Sequence, residues 1–145
     1  MGRTTFSGPV AGAYETFTVS MDPGTALGAN ILIYYIPVAF ECKVVEASFM
    51  ADATVLTGVP TWQIQDGGAA GAGTDAITAA TAIPASDTES TIAAAAMTEA
   101  NRTLEKGDIL RVVLDGNNAA DSVVRGTVTV TVRNLGHVVA SALND

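Results

Sequence analysis

Residues 123–133 read Val-Val-Arg-Gly-Thr-Val-Thr-Val-Thr-Val-Arg. The even positions, Val124, Gly126, Val128, Val130 and Val132, are apolar or glycine. The odd positions, Arg125, Thr127, Thr129, Thr131 and Arg133, are polar. Successive side chains of an extended chain point to opposite faces, so this alternation describes a strand with one face on a core and the other toward water. Val and Thr also fit a pleated surface well.

The same grammar extends upstream. Asp115-Gly116-Asn117-Asn118 is a strong turn signal. Before it, Ile109–Leu114 reads as a strand with Leu110, Val112 and Leu114 on one face, preceded by the turn Lys106-Gly107-Asp108. In Val59–Asp66, Trp62 and Ile64 share a face opposite Thr61, Gln63 and Gln65. Cys42–Ala51 alternates too, and Val45, Ala47, Phe49 and Ala51 are expected to form its core face. Asn30–Val38 is a continuous apolar run of strand length, expected to be covered on both faces, with Pro37 marking an edge, a bulge or the exit. Tyr14–Ser20 carries Phe17 and Val19 on one face, and Met21-Asp22-Pro23-Gly24 turns it into a loop. Gly67–Gly73 is a flexible glycine-rich loop without a phosphate-binding pattern. Residues 74–100, rich in Ala and Thr and interrupted by Pro84, read as short strands and loops; the competing reading is a helix through Ala93–Ala96 and Glu99, capped by Asp87 or Ser90 and ended by Gly107.

At least six strands separated by turns predict an all-β chain, an antiparallel β-sandwich of jelly-roll-like type. The expected divisions are an extended N-terminal arm at 1–13, a sandwich domain at 14–135 and a short C-terminal tail at 136–145. Pro9 stiffens the arm toward extended geometry, and Val138 and Val139 could dock the tail. Composition agrees: 25 Ala, 18 Thr, 16 Val and 14 Gly make up half of the 145 residues, against 8 Leu and 2 Lys. That mixture argues against a helical bundle.

Seven Lys and Arg against fifteen Asp and Glu leave a formal charge of −8. The basic residues Arg3, Lys43, Arg102, Lys106, Arg111, Arg125 and Arg133 are scattered singly, so nucleic acid and anionic membrane are not expected partners. The charge does suit solubility at high copy number. The start of the chain lacks the apolar stretch of a signal peptide, and no apolar run is long enough to span a bilayer, so synthesis in the cytoplasm is expected.

Catalytic constellations are sparse. A single cysteine, Cys42, and a single histidine, His137, exclude an internal disulfide and a four-ligand Cys/His zinc site. Cys42 reads as a small core residue and His137 as a surface residue. Glu41 with Glu46, or Asp115 with Asp121, read as solvated carboxylates rather than an acid–base pair. The loop Asp115–Asp121 looks like half a calcium loop, but Ala120 and Gly126 stand where glycine and glutamate belong, and a hairpin turn is the better reading. No catalytic residue, metal or cofactor is expected, and the chain is read as a structural or binding protein rather than an enzyme.

Two stretches, Thr4-Thr5-Phe6-Ser7-Gly8-Pro9-Val10 and Asn101-Arg102-Thr103-Leu104-Glu105-Lys106-Gly107-Asp108-Ile109-Leu110-Arg111-Val112, resemble small virion structural proteins of marine tailed bacteriophages, in particular head decoration (cement) proteins. The resemblance implies a homotrimer on the capsid exterior, partnered with the major capsid protein and stabilising the head. On that reading Thr4, Thr5, Phe6, Ser7, Pro9 and Val10 are the capsid-binding residues, with Phe6 as the aromatic anchor. The alternative is a carbohydrate- or receptor-binding module of a phage head or tail fibre, with Trp62, Tyr34 and Tyr35 as exposed platforms.

Overall fold

The alternating stretch forms β10 (Val123–Asn134), which runs through the middle of a sheet. A computed structural model describes residues 12–118 and 121–136. Within them the strands before β10 are β1 (Tyr14–Met21), β2 (Ile31–Pro37), β3 (Cys42–Val55), β4 (Thr61–Asp66), β5 (Asp75–Ala76), β6 (Thr81–Ala82), β7 (Glu89–Ala93), β8 (Thr103–Leu104) and β9 (Ile109–Asp115). The first sheet has the order β1-β10-β3-β7, with β8 also on β3. The second has the order β2-β9-β4-β5, with β6 also on β4. All pairings are antiparallel. With β5/β6 and β7/β8 each taken as one broken strand, this is the strand order of an eight-stranded jelly roll.

The even positions of β10 turn inward as the alternation requires: Val124, Val128, Val130 and Val132 are fully buried. From the second sheet they meet Leu110, Val112 and Leu114 of β9 and Trp62 and Ile64 of β4. Phe49 of β3 and Trp62 join the layers, with ring centroids 5.7 Å apart at 57°. Burial of each such side chain contributes roughly 1.5–3 kcal/mol.

Two strand readings need correction. In β3 the buried residues are Cys42, Val44, Ala47, Phe49 and Ala51, while Val45 is half-buried. Thr131 pairs with Glu46 but Val132 pairs with Val44, so Val45 is the extra residue of a β-bulge. The bulge shifts the phase of the inward face by one position. Strand β2 is not covered on both faces. Among the described residues it pairs only with β9 and forms the edge of the second sheet; Ile31 and Tyr35 are each more than half exposed. Its inward face is Leu32, Tyr34 and Ile36, and Pro37 sits where an edge strand tolerates it.

Residues 74–100 are short strands and loops. Ala94–Ala96 makes one 3-10 turn without a side-chain cap, and Met97 is extended again at φ −96° and ψ 156°. Met97 bridges to Thr78, and the Thr98 N–H donates to the Ile77 carbonyl at 2.8 Å. These bonds link the two sheets along the β5–β8 side. On the opposite side, β1 and β2 are the edge strands of their sheets. Of the expected arm, Gly12 and Ala13 are described and they grip the end of β10: the Gly12 N–H donates to the Asn134 carbonyl and the Asn134 N–H to the Ala13 carbonyl. Thr4, Thr5, Phe6, Ser7, Pro9 and Val10 lie outside the described residues, as do His137, Val138 and Val139 of the tail.

Candidate functional site

Strand β9 sends Leu110, Val112 and Leu114 inward, so Ile109, Arg111, Val113 and Asp115 face outward. Its register with β2 and β4 sets three rows across that outer face. Tyr35, Arg111 and Gln65 form one; Ile33, Val113 and Gln63 the next; Ile31, Asp115 and Thr61 the third. The sheet face is therefore apolar toward the β2 edge and polar toward β4.

Arg111 is on this outer face yet only 7% exposed. The loop from Gly67 to Gly73 covers it. The loop first prolongs the β4–β9 ladder, with the Gly67 N–H donating to the Ile109 carbonyl and the Ile109 N–H to the Gly68 carbonyl. A Cβ on Gly67 would lie 2.7 Å from the Ile109 carbonyl oxygen and 2.9 Å from Arg111 Cδ, so only glycine allows this approach. Gly68 and Gly71 adopt positive φ to bring the chain back. Arg111 Nη1 donates to the Gly73 carbonyl. The glycine-rich sequence is thus a cover that fits closely over a guanidinium.

Beside Arg111 is a groove of about 250 Å3, lined among others by Thr61, Gln63, Gln65, Asp115, Ile31 and Arg111 itself. An amide relay runs along its wall. Gln63 Nε2 donates to the Thr78 carbonyl at 2.9 Å, and Gln65 Nε2 donates to Gln63 Oε1 at 2.7 Å. Because a carbonyl can only accept, the first bond fixes the orientation of Gln63 and hence of Gln65. Among the described residues Gln65 Oε1 is left buried without a partner, and so is Arg111 Nε. The ion pairs among the described residues are Lys43–Glu99, Arg102–Glu99 and Arg125–Asp52, and none includes Arg111. At the covered end, Asp66 accepts from the Gly68 N–H at 2.8 Å. Burial nonetheless pushes its carboxyl above the usual range, and the charges of Asp108 and Asp75 add to the effect.

A second groove of about 260 Å3 lies on the first sheet, between Ser20, Asp22, Asp52, Arg125 and Thr127. Its cation is neutralised locally, with Arg125 Nε 3.0 Å from Asp52 Oδ2.

The aromatic residues expected to be platforms are not gathered into one. Trp62 is fully buried in the core, and Tyr34 is half-buried on the inward face of β2. Tyr35 is exposed and stands opposite Arg111. Cys42 is fully buried, and burial with the nearby charges of Asp108 and Glu41 pushes its thiol up to about 12. Asp115 accepts from the Asn117 N–H, and Asn117 and Asn118 have positive φ, which is turn geometry. Among the described residues no group of three or more His, Cys, Asp or Glu is placed to hold a metal ion. In the sequence Arg111 is one more isolated basic residue. The available signal was an outward arginine on an otherwise apolar strand together with four glycines in seven residues, Gly67, Gly68, Gly71 and Gly73.

No family model matches the chain, and no curated protein matches it. The phage resemblance therefore stands on the two stretches quoted above. Among solved structures, a chain from infectious bursal disease virus, Gx strain, is similar over 86% of this chain, at 16% identity and a TM-score of 0.38. A chain from the Gt strain is similar over 93%, at 17% identity and a TM-score of 0.23. This chain spans 33% and 42% of the length of those two chains, and the likeness is weak.

Proposed function

We propose that this chain is a structural protein of a phage virion, a decoration protein that binds the outer capsid surface and stabilises the head. The observation that carries the reading is the pair of sheet edges left open among the described residues. Strands β1 and β2 end their sheets on the same side of the sandwich, and Tyr14, Ile31 and Tyr35 are 67%, 58% and 56% exposed along them. Strand β2 holds no charged residue. An apolar edge of this kind is an aggregation hazard for an abundant protein unless another chain covers it. Strand addition from a capsid subunit satisfies its backbone groups and buries its side chains together.

The resemblance of residues 4–10 and 101–112 to phage decoration proteins supports the same reading, as does the jelly-roll order, though one fold hosts many functions. In this proposal the major capsid protein is the partner, three copies associate on the capsid exterior, and Thr4, Thr5, Phe6, Ser7, Pro9 and Val10 make the arm's contacts. The test is co-sedimentation of purified protein with phage heads, full-length against a chain lacking residues 1–10. Binding that is lost with the arm while the circular dichroism spectrum is kept supports the proposal. Absence of binding by the full-length chain overturns it, and unchanged binding without the arm overturns the arm's role. Light scattering after size exclusion reads the trimer directly.

A further inference from the structure

We infer that the groove beside Arg111 binds a carboxylate-bearing sugar unit, of the uronic-acid type, through Arg111 and Gln65. The inference is independent of the capsid reading and stands or falls separately.

Arg111 carries the first observation. Arg111 as a residue is 7% exposed; its Nη1 is bonded to the Gly73 carbonyl, but its Nε is unpartnered and no carboxylate is ion-paired to it among the described residues, which is an electrostatic deficit inside an acidic protein. Desolvated cations are ordinarily paired. The missing partner is an anion, and a planar carboxylate matches the guanidinium fork. Gln65 carries the second. The relay from the Thr78 carbonyl through Gln63 leaves Gln65 Oε1 as a buried acceptor lacking a donor. Register places Gln65 directly opposite Arg111. A ligand that relieves both deficits brings a negative acceptor and a neutral donor side by side. A uronic acid does this with its carboxylate and the hydroxyl on the adjacent ring carbon.

The surroundings favour a sugar over an acidic peptide. Thr61, Gln63 and Asp115 offer hydrogen bonds to further hydroxyls, and Asp115 repels a second acidic group. Val113 and Ile31 supply an apolar wall, and exposed Tyr35 stands opposite Arg111 on the neighbouring strand. The groove volume, about 250 Å3, suits one such unit.

The test is a titration of the full-length, nitrogen-15-labelled protein, followed by amide shifts. The probes are a glucuronate oligosaccharide, the same oligosaccharide reduced to its neutral glucose form, and sodium acetate at matched ionic strength. Expected are saturable shifts in β4, β9 and the 67–74 loop with the uronate alone. Arg111→Lys, which keeps the charge and loses the fork, should weaken binding by about tenfold. Gln65→Met, close in size and partly exposed in setting, should weaken it several-fold and keeps the test open if the Arg111 variant fails to fold. No shifts with the uronate overturn the proposal. Equal shifts with the neutral sugar remove the role of the carboxylate, and equal shifts with acetate reduce the site to an adventitious ion only.

Discussion

Gly126 lies in the middle of β10, between Met21 of β1 and Ala51 of β3. A Cβ there would stand 2.5 Å from the Met50 carbonyl oxygen, 2.6 Å from Phe49 Cε1 and 3.2 Å from Phe49 Cζ. The aromatic ring lies over the glycine and covers the place where a side chain would be. Gly126→Ala overpacks this contact and should cost about 1–3 kcal/mol. Phe49→Ala should cost about 3–5 kcal/mol, since the ring is fully buried against Trp62. The double substitution is the informative one. With the ring gone, the alanine methyl fills part of the vacated space, and the Met50 carbonyl is the one remaining obstacle. The combined loss should therefore fall short of the sum by about 1 kcal/mol, or about 4 °C in Tm for a chain of this length. Urea unfolding of all four proteins, followed by far-ultraviolet circular dichroism and with constant m, measures it. Strict additivity would falsify the reasoning and leave the carbonyl alone as the reason for glycine.

Three further outcomes are expected. Val44→Ala should destabilise by about 1–3 kcal/mol, whereas Val45→Thr should stay within about 0.5 kcal/mol; the reverse order in urea unfolding would place the bulge of β3 elsewhere. Asp66 has a raised carboxyl pKa in the folded state, from burial first and then from Asp108 and Asp75 against the Gly68 hydrogen bond. Between its ordinary and raised values the folded state binds more protons, so this group's share of stability falls as pH rises through that window. Asp66→Asn retains an acceptor for Gly68 and should flatten the dependence without loss at neutral pH; a steeper fall would contradict the cause given. Cys42, buried and with its thiol held up to about 12, should resist alkylation until the protein unfolds; labelling of the native protein at the rate of a free thiol would show the strand to open locally.

The fold was legible wherever one strand met one core face. Residues 123–133 have a single period and a single solvent side, and their structure follows the alternation residue by residue; 109–114 follows it except at Arg111, an outward residue that the 67–73 loop covers. Sequence reading failed where tertiary geometry altered the rule. At Val45 an inserted residue shifts the alternation, and nothing in Val44-Val45-Glu46 marks which valine is extra. In Asn30–Val38 an unbroken apolar run reads as doubly covered, yet among the described residues β2 is an edge whose outward Ile31 and Tyr35 stay exposed. A run of apolar residues records that both faces avoid water. It does not record whether the second face is covered within the same chain or by another one.

That distinction links the two surfaces of the second sheet. Its outward rows pass from apolar at β2, through Arg111, Val113 and Asp115 on β9, to amides and a hydroxyl on β4. Neither half is explained by the stability of the isolated domain, which would be served as well by a polar β2 edge and by an uncharged residue at 111. An exposed Ile31 and Tyr35 add little to folding, and a buried arginine with its Nε unpartnered and no ion pair among the described residues opposes it. The glycines at 67, 68, 71 and 73 carry a further entropic cost in order to close over that guanidinium. The features that weaken the lone domain thus concentrate on one face, the apolar half suited to a strand from another chain and the polar half to an anionic ligand. A substitution such as Tyr35→Ser tests the division. It should leave stability within about 0.5 kcal/mol while weakening the head binding proposed above, and reduced stability of the free domain would mean that Tyr35 serves the fold instead.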